Sequence, residues 1–267
     1  MISFIAHPTD FSDQGMVAFE HALRLALLNR CRLVLLHVRA PSDSSEWQSF
    51  PHVRETLQRW QFLGSDAEPD EVFAQTGVKV SKVDIHYDDA AGGLATYLED
   101  HHPDLIVMAS HGRAGLERSL KGSVSSGVVR RTLVPTLILG PAVRPFVASD
   151  TGALSIKIIV VPVDHHPSPN GVIRELDSLT AGLEATLDFV HVGERVPMVR
   201  DSQGVRRPVR KVEGTVVDVL LKEATRADLL VMRTAGRNGF LDAIRGSTTE
   251  RMVAGVSCPL LVLPIQS

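Results

Sequence analysis

Two stretches of this chain carry the glycine and hydroxyl spacing of an anion-binding loop. Gly112-x9-Gly122-Ser123-Val124-Ser125 follows the apolar run DLIVMAS. Gly236-x9-Gly246-Ser247-Thr248-Thr249 follows DLLVM. In both, the second glycine opens a segment expected to be helical. The free N–H groups of a helix start, with the helix dipole behind them, attract anions. Each such contact contributes roughly 0.3–1 kcal/mol. Glycine lets the backbone approach an oxygen closely, and the hydroxyls of Ser123 and Ser125 add donors. Arg113, Arg118 and Lys121 outweigh Glu117 in the first loop, and Arg237 and Arg245 outweigh Asp242 in the second. This suits phosphate, although a solvated surface explains the charges equally well. Neither loop is a Walker loop, which needs Gly-Lys-Ser/Thr, since Lys121 precedes its glycine. Neither is a Gly-x-Gly-x-x-Gly fingerprint.

Upstream of each loop an acid ends a strand-like run: Asp10 after SFIAHPT and Asp164 after IKIIVVPV. In open parallel sheets, ligands bind at the carboxyl ends of strands where strand order reverses. If the first and fourth strands are neighbours there, acid and loop face one crevice. The acid would bond a ribose or base, and the loop would take phosphates.

These elements come from an internal repeat. Pro8 and Pro162, Asp10 and Asp164, and His37 and His191 all lie 154 residues apart. DLIVM and DLLVM lie 124 apart, as do Gly122-Ser123 and Gly246-Ser247, and PTLIL and PLLVL. The first copy therefore holds 30 more residues than the second between its second and fourth strands. So many landmarks in register indicate duplication.

In each copy, apolar runs alternate with helical patterns. SFIAH, RLVLLHV, VKVSKVDIHY, DLIVMAS and PTLILG predict strands in the first copy. Helices are predicted over about 13–29 and 90–101, with another from near Gly122. The second copy runs IKIIVVPV, a helix near 169–182, ATLDFVHV, RRPVRKVEG, the helix VVDVLLKEAT, ADLLVM, a helix from near Gly246, and PLLVLPI. Continuous apolar strands separated by helices imply α/β units with parallel, doubly wound sheets. The expected units are 1–142, a linker over 143–154, and 155–267. The extra segment, about 41–78, carries both tryptophans, Trp47 and Trp60, and predicts one or two helices. It reads either as a cap on a sheet edge or partner domain, or as a lid over a ligand.

Composition excludes several classes. The net charge of −3 gives no general pull toward nucleic acid or an anionic membrane. No apolar run approaches the ~20 residues of a membrane span, and no signal-peptide pattern opens the chain. Cys31 and Cys258 read as core thiols. The expected setting is cytoplasmic. The paired histidines, His101-His102 and His165-His166, diverge as sequence neighbours and do not chelate one metal. His165 and His166 are placed beside the second crevice by following Asp164. RRPVRK (206–211) reads as a basic strand edge rather than a nucleic-acid patch. No Ser-His-Asp elbow or HExxH appears, and no general base with an orienting partner is identifiable.

With both loops, both acids and the duplication in view, the chain resembles a tandem universal stress protein. That family's ATP pattern is Gly-x2-Gly-x9-Gly-Ser/Thr after strand four, with an Asp after strand one. The resemblance covers nearly the whole chain outside the linker and most of 41–78. It implies five-stranded sheets of order 3-2-1-4-5, of the adenine nucleotide alpha hydrolase-like kind, paired through their fifth strands. It also implies ATP, or AMP or ADP, as ligand, with or without Mg2+, and a stress-linked role. Carried over by position, the adenine side is Pro8, Thr9, Asp10 and Val38. Ribose and phosphates meet Met108, Ala109, His111, Gly112, Gly122, Ser123, Val124 and Ser125. The second copy's counterparts are Val163, Asp164, Val192, Met232, Gly236, Gly246, Ser247, Thr248 and Thr249. The family's first glycine is replaced by Ala109 in one copy and Arg233 in the other. A methyl is a small intrusion, whereas an arginine stem must find room, although its guanidinium can pair with phosphate. The leading expectation is a nucleotide-binding sensor or adaptor that forms a homo-oligomer, a homodimer being the simplest case. A slow ATPase of the same fold and a scaffold without nucleotide remain the alternatives.

Overall fold

A computed structural model of the chain describes residues 2–41, 49–110, 124–166, 168–234, 252–253 and 255–264. In the first repeat, β1 (Phe4–Pro8) leads through α1 (Asp13–Asn29) to β2 (Arg32–Arg39). The inserted α2 (Val53–Arg59) and α3 (Glu71–Thr76) precede β3 (Lys79–His86) and α4 (Ala90–His101). Then come β4 (Leu105–Ala109), α5 (Val124–Arg131) and β5 (Thr136–Leu139). The second repeat runs β6 (Ile158–Pro162), α6 (Pro169–Leu179), β7 (Thr186–Val192), a short β8 (Val199–Arg200) and β9 (Arg206–Arg207), then β10 (Val209–Val212). It ends with α7 (Val216–Ala224), β11 (Leu229–Thr234) and β12 (Leu260–Pro264).

The helices begin where the sequence supplies a cap. Ser12 Oγ accepts the Gly15 N–H at the start of α1, and Asp89 accepts the Gly92 N–H at the start of α4. Thr215 does the same for Asp218 in α7. The strands β2, β4 and β12 are buried on both faces, which is why they read as unbroken apolar runs.

The sheet has ten strands in the order β10-β7-β6-β11-β12-β5-β4-β1-β2-β3. Each half is parallel and has the order 3-2-1-4-5, as the resemblance implied. The halves join antiparallel through β5 and β12, with Leu260 opposite Ile138 and Val262 opposite Thr136. One face carries a single core across this seam, from Ile5, Leu33 and Leu105 to Ile159, Leu229 and Leu261. The other face keeps two separate clusters, one around Ile106 and Leu98 and one around Leu230 and Cys258. Both cysteines are buried, and burial pushes the thiols up to about 11 at Cys31 and about 12 at Cys258.

A matching clasp ties the strand starts in both repeats. Asp104 Oδ2 accepts the N–H groups of Ser3 and Phe4, and Asp228 Oδ2 accepts those of Lys157 and Ile158. These acids open the two DL(I/L)VM runs and lie 124 residues apart.

Three elements differ from a simple reading of the pattern. RRPVRKVEG is not one strand. Pro208 has no N–H to give a ladder, so Arg206–Arg207 pairs with Val199–Arg200 in a small ribbon while Val209–Val212 joins β7. β10 is the sheet edge, as its basic character suggested. Its Arg210 is clasped by Glu223 and Asp188, to which Arg226 also bonds. The connection between repeats is a packed strap: Val147 bridges Leu154, and Phe146 is buried. The insertion packs on this strap and on α1. Trp60 Nε1 and Arg59 Nε both donate to the Ser149 carbonyl, at 2.9 and 3.0 Å. Arg59 also bonds Glu20, whose carboxylate accepts the Ser149 hydroxyl at 2.6 Å. Gly152 (φ +67°) lies flat against Trp60, where a Cβ would come within 2.6 Å of the indole. Trp47 lies outside the described residues.

Candidate functional site

The reversal of strand order falls between β1 and β4 in the first repeat, where Ile5 and Ala6 pair with Leu105 and Ile106. Thr9 and Asp10, just past β1, and Ala109, at the end of β4, therefore stand at one crevice. Thr9 is buried. Its N–H donates to the Leu36 carbonyl, and its own carbonyl lies 3.0 Å from His37 Nδ1. Asp10 is exposed at the mouth. Its Oδ1 accepts both the N–H and the hydroxyl of Ser12, at 3.1 and 2.6 Å, and this leans the carboxylate over the start of α1. Gly15 makes room for it, since a Cβ there would lie 2.8 Å from Oδ1.

Pro8 and Val38 are half-buried walls of this end of the sheet. Met108 is 3% exposed and sits in the core beneath, with Ile106 and Leu94, so its side chain belongs to packing. Val124 is exposed on the first turn of α5, and Ser125 is buried. His111, Gly112, Gly122 and Ser123 lie outside the described residues.

The second repeat reproduces the framework. The Val163 N–H donates to the Val190 carbonyl, and the Val163 carbonyl lies 2.9 Å from His191 Nδ1. This histidine–carbonyl contact is the same in both repeats. Sequence alone showed it only as a matched pair of histidines. Asp164 is exposed, accepts the His165 N–H at 2.7 Å, and lies 4.0 Å from His191 Nδ1. A cavity of about 110 Å³ opens here, lined by Val163, Asp164, His166, Val192, Met232 and Arg233 among others. His166 thus lines the second crevice, as its place after Asp164 suggested, while His165 turns to the Arg195 carbonyl. Gly236, Gly246, Ser247, Thr248 and Thr249 lie outside the described residues.

Arg233 finds its room on the α6 side. Its guanidinium lies over Gly171, where a Cβ would be 3.3 Å from Nη1. Glu175, one helical turn further on, lies 3.9 Å from Nη2. Arg233 Nε is buried without a hydrogen-bond partner. Burial holds the guanidinium below its usual value and the Glu175 carboxyl above its own.

The sequence model described as the universal stress protein family matches residues 1–140 and 200–264. The chain belongs to the universal stress protein family. The stretch between the two matches holds the strap, β6, α6 and β7, which repeat the geometry of β1, α1 and β2. A universal stress protein of Mycobacterium tuberculosis is 25% identical over 276 residues, 89% of this chain and 88% of that one. One from Methanocaldococcus jannaschii is 23% identical over 158 residues, which is 52% of this chain but 95% of its own length. The solved universal stress protein of Archaeoglobus fulgidus matches the fold with a TM-score of 0.62 at 18% identity, over 97% of this chain and 95% of that one. The tandem arrangement is therefore a whole-chain likeness, not a local one. No helix among the described residues of this universal stress protein is long and apolar enough to cross a membrane. Among those residues, no cluster of metal-ligating side chains forms.

Proposed function

We propose that the chain binds ATP or a related adenine nucleotide at the strand-order reversal of each repeat, and that the first repeat is the better site. On this reading the two sites belong to separate units, 1–142 and 155–267. The observation that carries it is the repeated strand-end framework. In both repeats an exposed carboxylate stands beside a carbonyl held by a histidine, at the switch point where open α/β sheets take ligands. The residues of the first repeat fit such a ligand. Asp10 presents a carboxylate for a ribose or base, Val38 gives an apolar wall, and Ala109 adds only a methyl where the chain must come close. Val124 and Ser125 begin a helix whose N–H groups suit phosphate. When bound, Mg2+ would supply charge neutralisation at the phosphates. The protein then acts as a stress-response sensor or adaptor, and as a homo-oligomer it would present more than one such site.

Native mass spectrometry of the full chain, as purified and after ATP addition, tests this reading. Bound adenine nucleotide that is lost in Asp10→Ala and Gly122→Val supports it. Nucleotide-free protein under both conditions would sink it. Turnover of Mg-ATP that both substitutions abolish would favour the slow ATPase over the adaptor.

A further inference from the structure

Phe11 directly follows the site acid, and its backbone is left-handed, with φ at 61°. That region is costly for a side chain with a Cβ and uncommon for a bulky aromatic. A residue persists there only when its surroundings hold it. Phe11 is held from several sides. Its N–H donates to Thr9 Oγ1 at 3.2 Å. Its ring lies 4.4 Å from the His37 imidazole, the same ring whose Nδ1 meets the Thr9 carbonyl. Phe50 then meets it edge-on, with centroids 5.7 Å apart and planes at 81°. Phe50 is only 6% exposed, and the Lys82 ammonium lies 6.0 Å from its ring centre.

Phe50 comes from the inserted segment, which the second repeat lacks. There the residue after the acid is His165. It is not left-handed, and it is fixed by its own bond to the Arg195 carbonyl and by an edge contact with His191. We infer that Phe50 is a positioning residue for the first crevice: it packs Phe11 in its left-handed conformation and so holds Thr9 and Asp10 ready for ligand. The insertion is then more than a cap on the strap. Phe50 braces the site loop, while Trp60, at the end of α2, fastens the insertion to Ser149. The effect on ligand rests on the nucleotide reading, whereas the bracing of the loop does not.

The test uses the full chain and its Phe50→Ala and Phe50→Leu variants. Amide hydrogen exchange is followed in peptides spanning 9–16 and, as internal control, 163–170. In Phe50→Ala, exchange in 9–16 should accelerate about tenfold while 163–170 is unchanged. ATP affinity, measured well below the melting temperature, should fall about tenfold, and Phe50→Leu should recover most of it by keeping most of the buried volume. Unchanged exchange in 9–16 would overturn the inference. So would a lower melting temperature with unchanged ATP affinity, which would make the insertion a structural cap only. If the wild-type chain binds no ATP, the nucleotide reading fails alone, and the exchange comparison still decides whether Phe50 braces the loop.

Discussion

In the first repeat, the contact between α1 and the sheet holds two buried histidines, His7 on β1 and His21 on α1. In the second, the matching positions carry Val161 on β6 and Glu175 on α6, and Glu175 faces Arg233. His7 and His21 are fully buried, His7 bonded to the Val107 carbonyl and His21 to Val17 and Phe146. Counterparts 154 residues on are Val161 and Glu175. Yet the Asp104 and Asp228 clasps and the His37 and His191 contacts are the same. Groups that satisfy backbone N–H and C=O at strand ends have few substitutes. A helix–sheet contact, by contrast, accepts many side chains of suitable volume. The duplicated frame survives on the first kind of residue, and the two crevices diverge through the second.

The sharpest way to break this comparison is to remove what only the first repeat has. Trp60→Ala should cost about 4 kcal/mol, read from urea unfolding of the full chain, because it empties a buried indole site against Gly152 and Ser149. A cost under 1 kcal/mol would mean the insertion does not fasten the strap.

Acid should separate the repeats next. Burial pulls the His7 and His21 imidazoles from 6.5 down to about 4. The unfolded chain therefore binds more protons between those values, so stability is full above about 6.5 and falls as pH drops toward 4. Between pH 7 and pH 5 each buried imidazole should cost the fold about 2 kcal/mol. His7→Val, which installs the second repeat's residue, should remove one such share. Denaturant melts at the two pH values measure it, and an unchanged pH slope in that variant would contradict the burial argument.

The third prediction exchanges the other divergent position. Arg233→Ala gives the second crevice the residue of the first. It should raise ATP affinity there by about tenfold, or 1.4 kcal/mol, and titration calorimetry should then approach two nucleotides per chain. Loss of binding instead would make the guanidinium a phosphate ligand.

The smallest expected effect tests sameness. Asp104→Asn and Asp228→Asn should each destabilise by about 1 kcal/mol, the size of lost charge-assisted hydrogen bonds. Equal costs in unfolding experiments would support an equivalent frame, and a difference above 1 kcal/mol would break it.

Much of the frame was legible beforehand because it rests on periodicity. The apolar runs, the helical spacing between them and the constant offsets between repeats are local facts. They place α1 at 13–29 and α4 at 90–101 without any tertiary information. The crevice acids were legible too, because Asp10 and Asp164 each end such a run. Pro208 is plain in the sequence, but its consequence is tertiary: a single proline splits a basic stretch between two sheets. Phe11 gave no signal at all, since a left-handed backbone at a phenylalanine has no composition to announce it.

The amino-acid sequence by itself determined the duplication, the two strand–helix alternations and the inequality of position 109 with position 233, since all of these are readable as residue type and spacing. Only the tertiary structure decided where Arg233 finds its room, that one core crosses the β5–β12 seam, and that Phe50 reaches the loop after Asp10. These are contacts between residues far apart in the chain. Their energies depend on which surfaces meet once the sheet has closed, and no local pattern encodes that meeting.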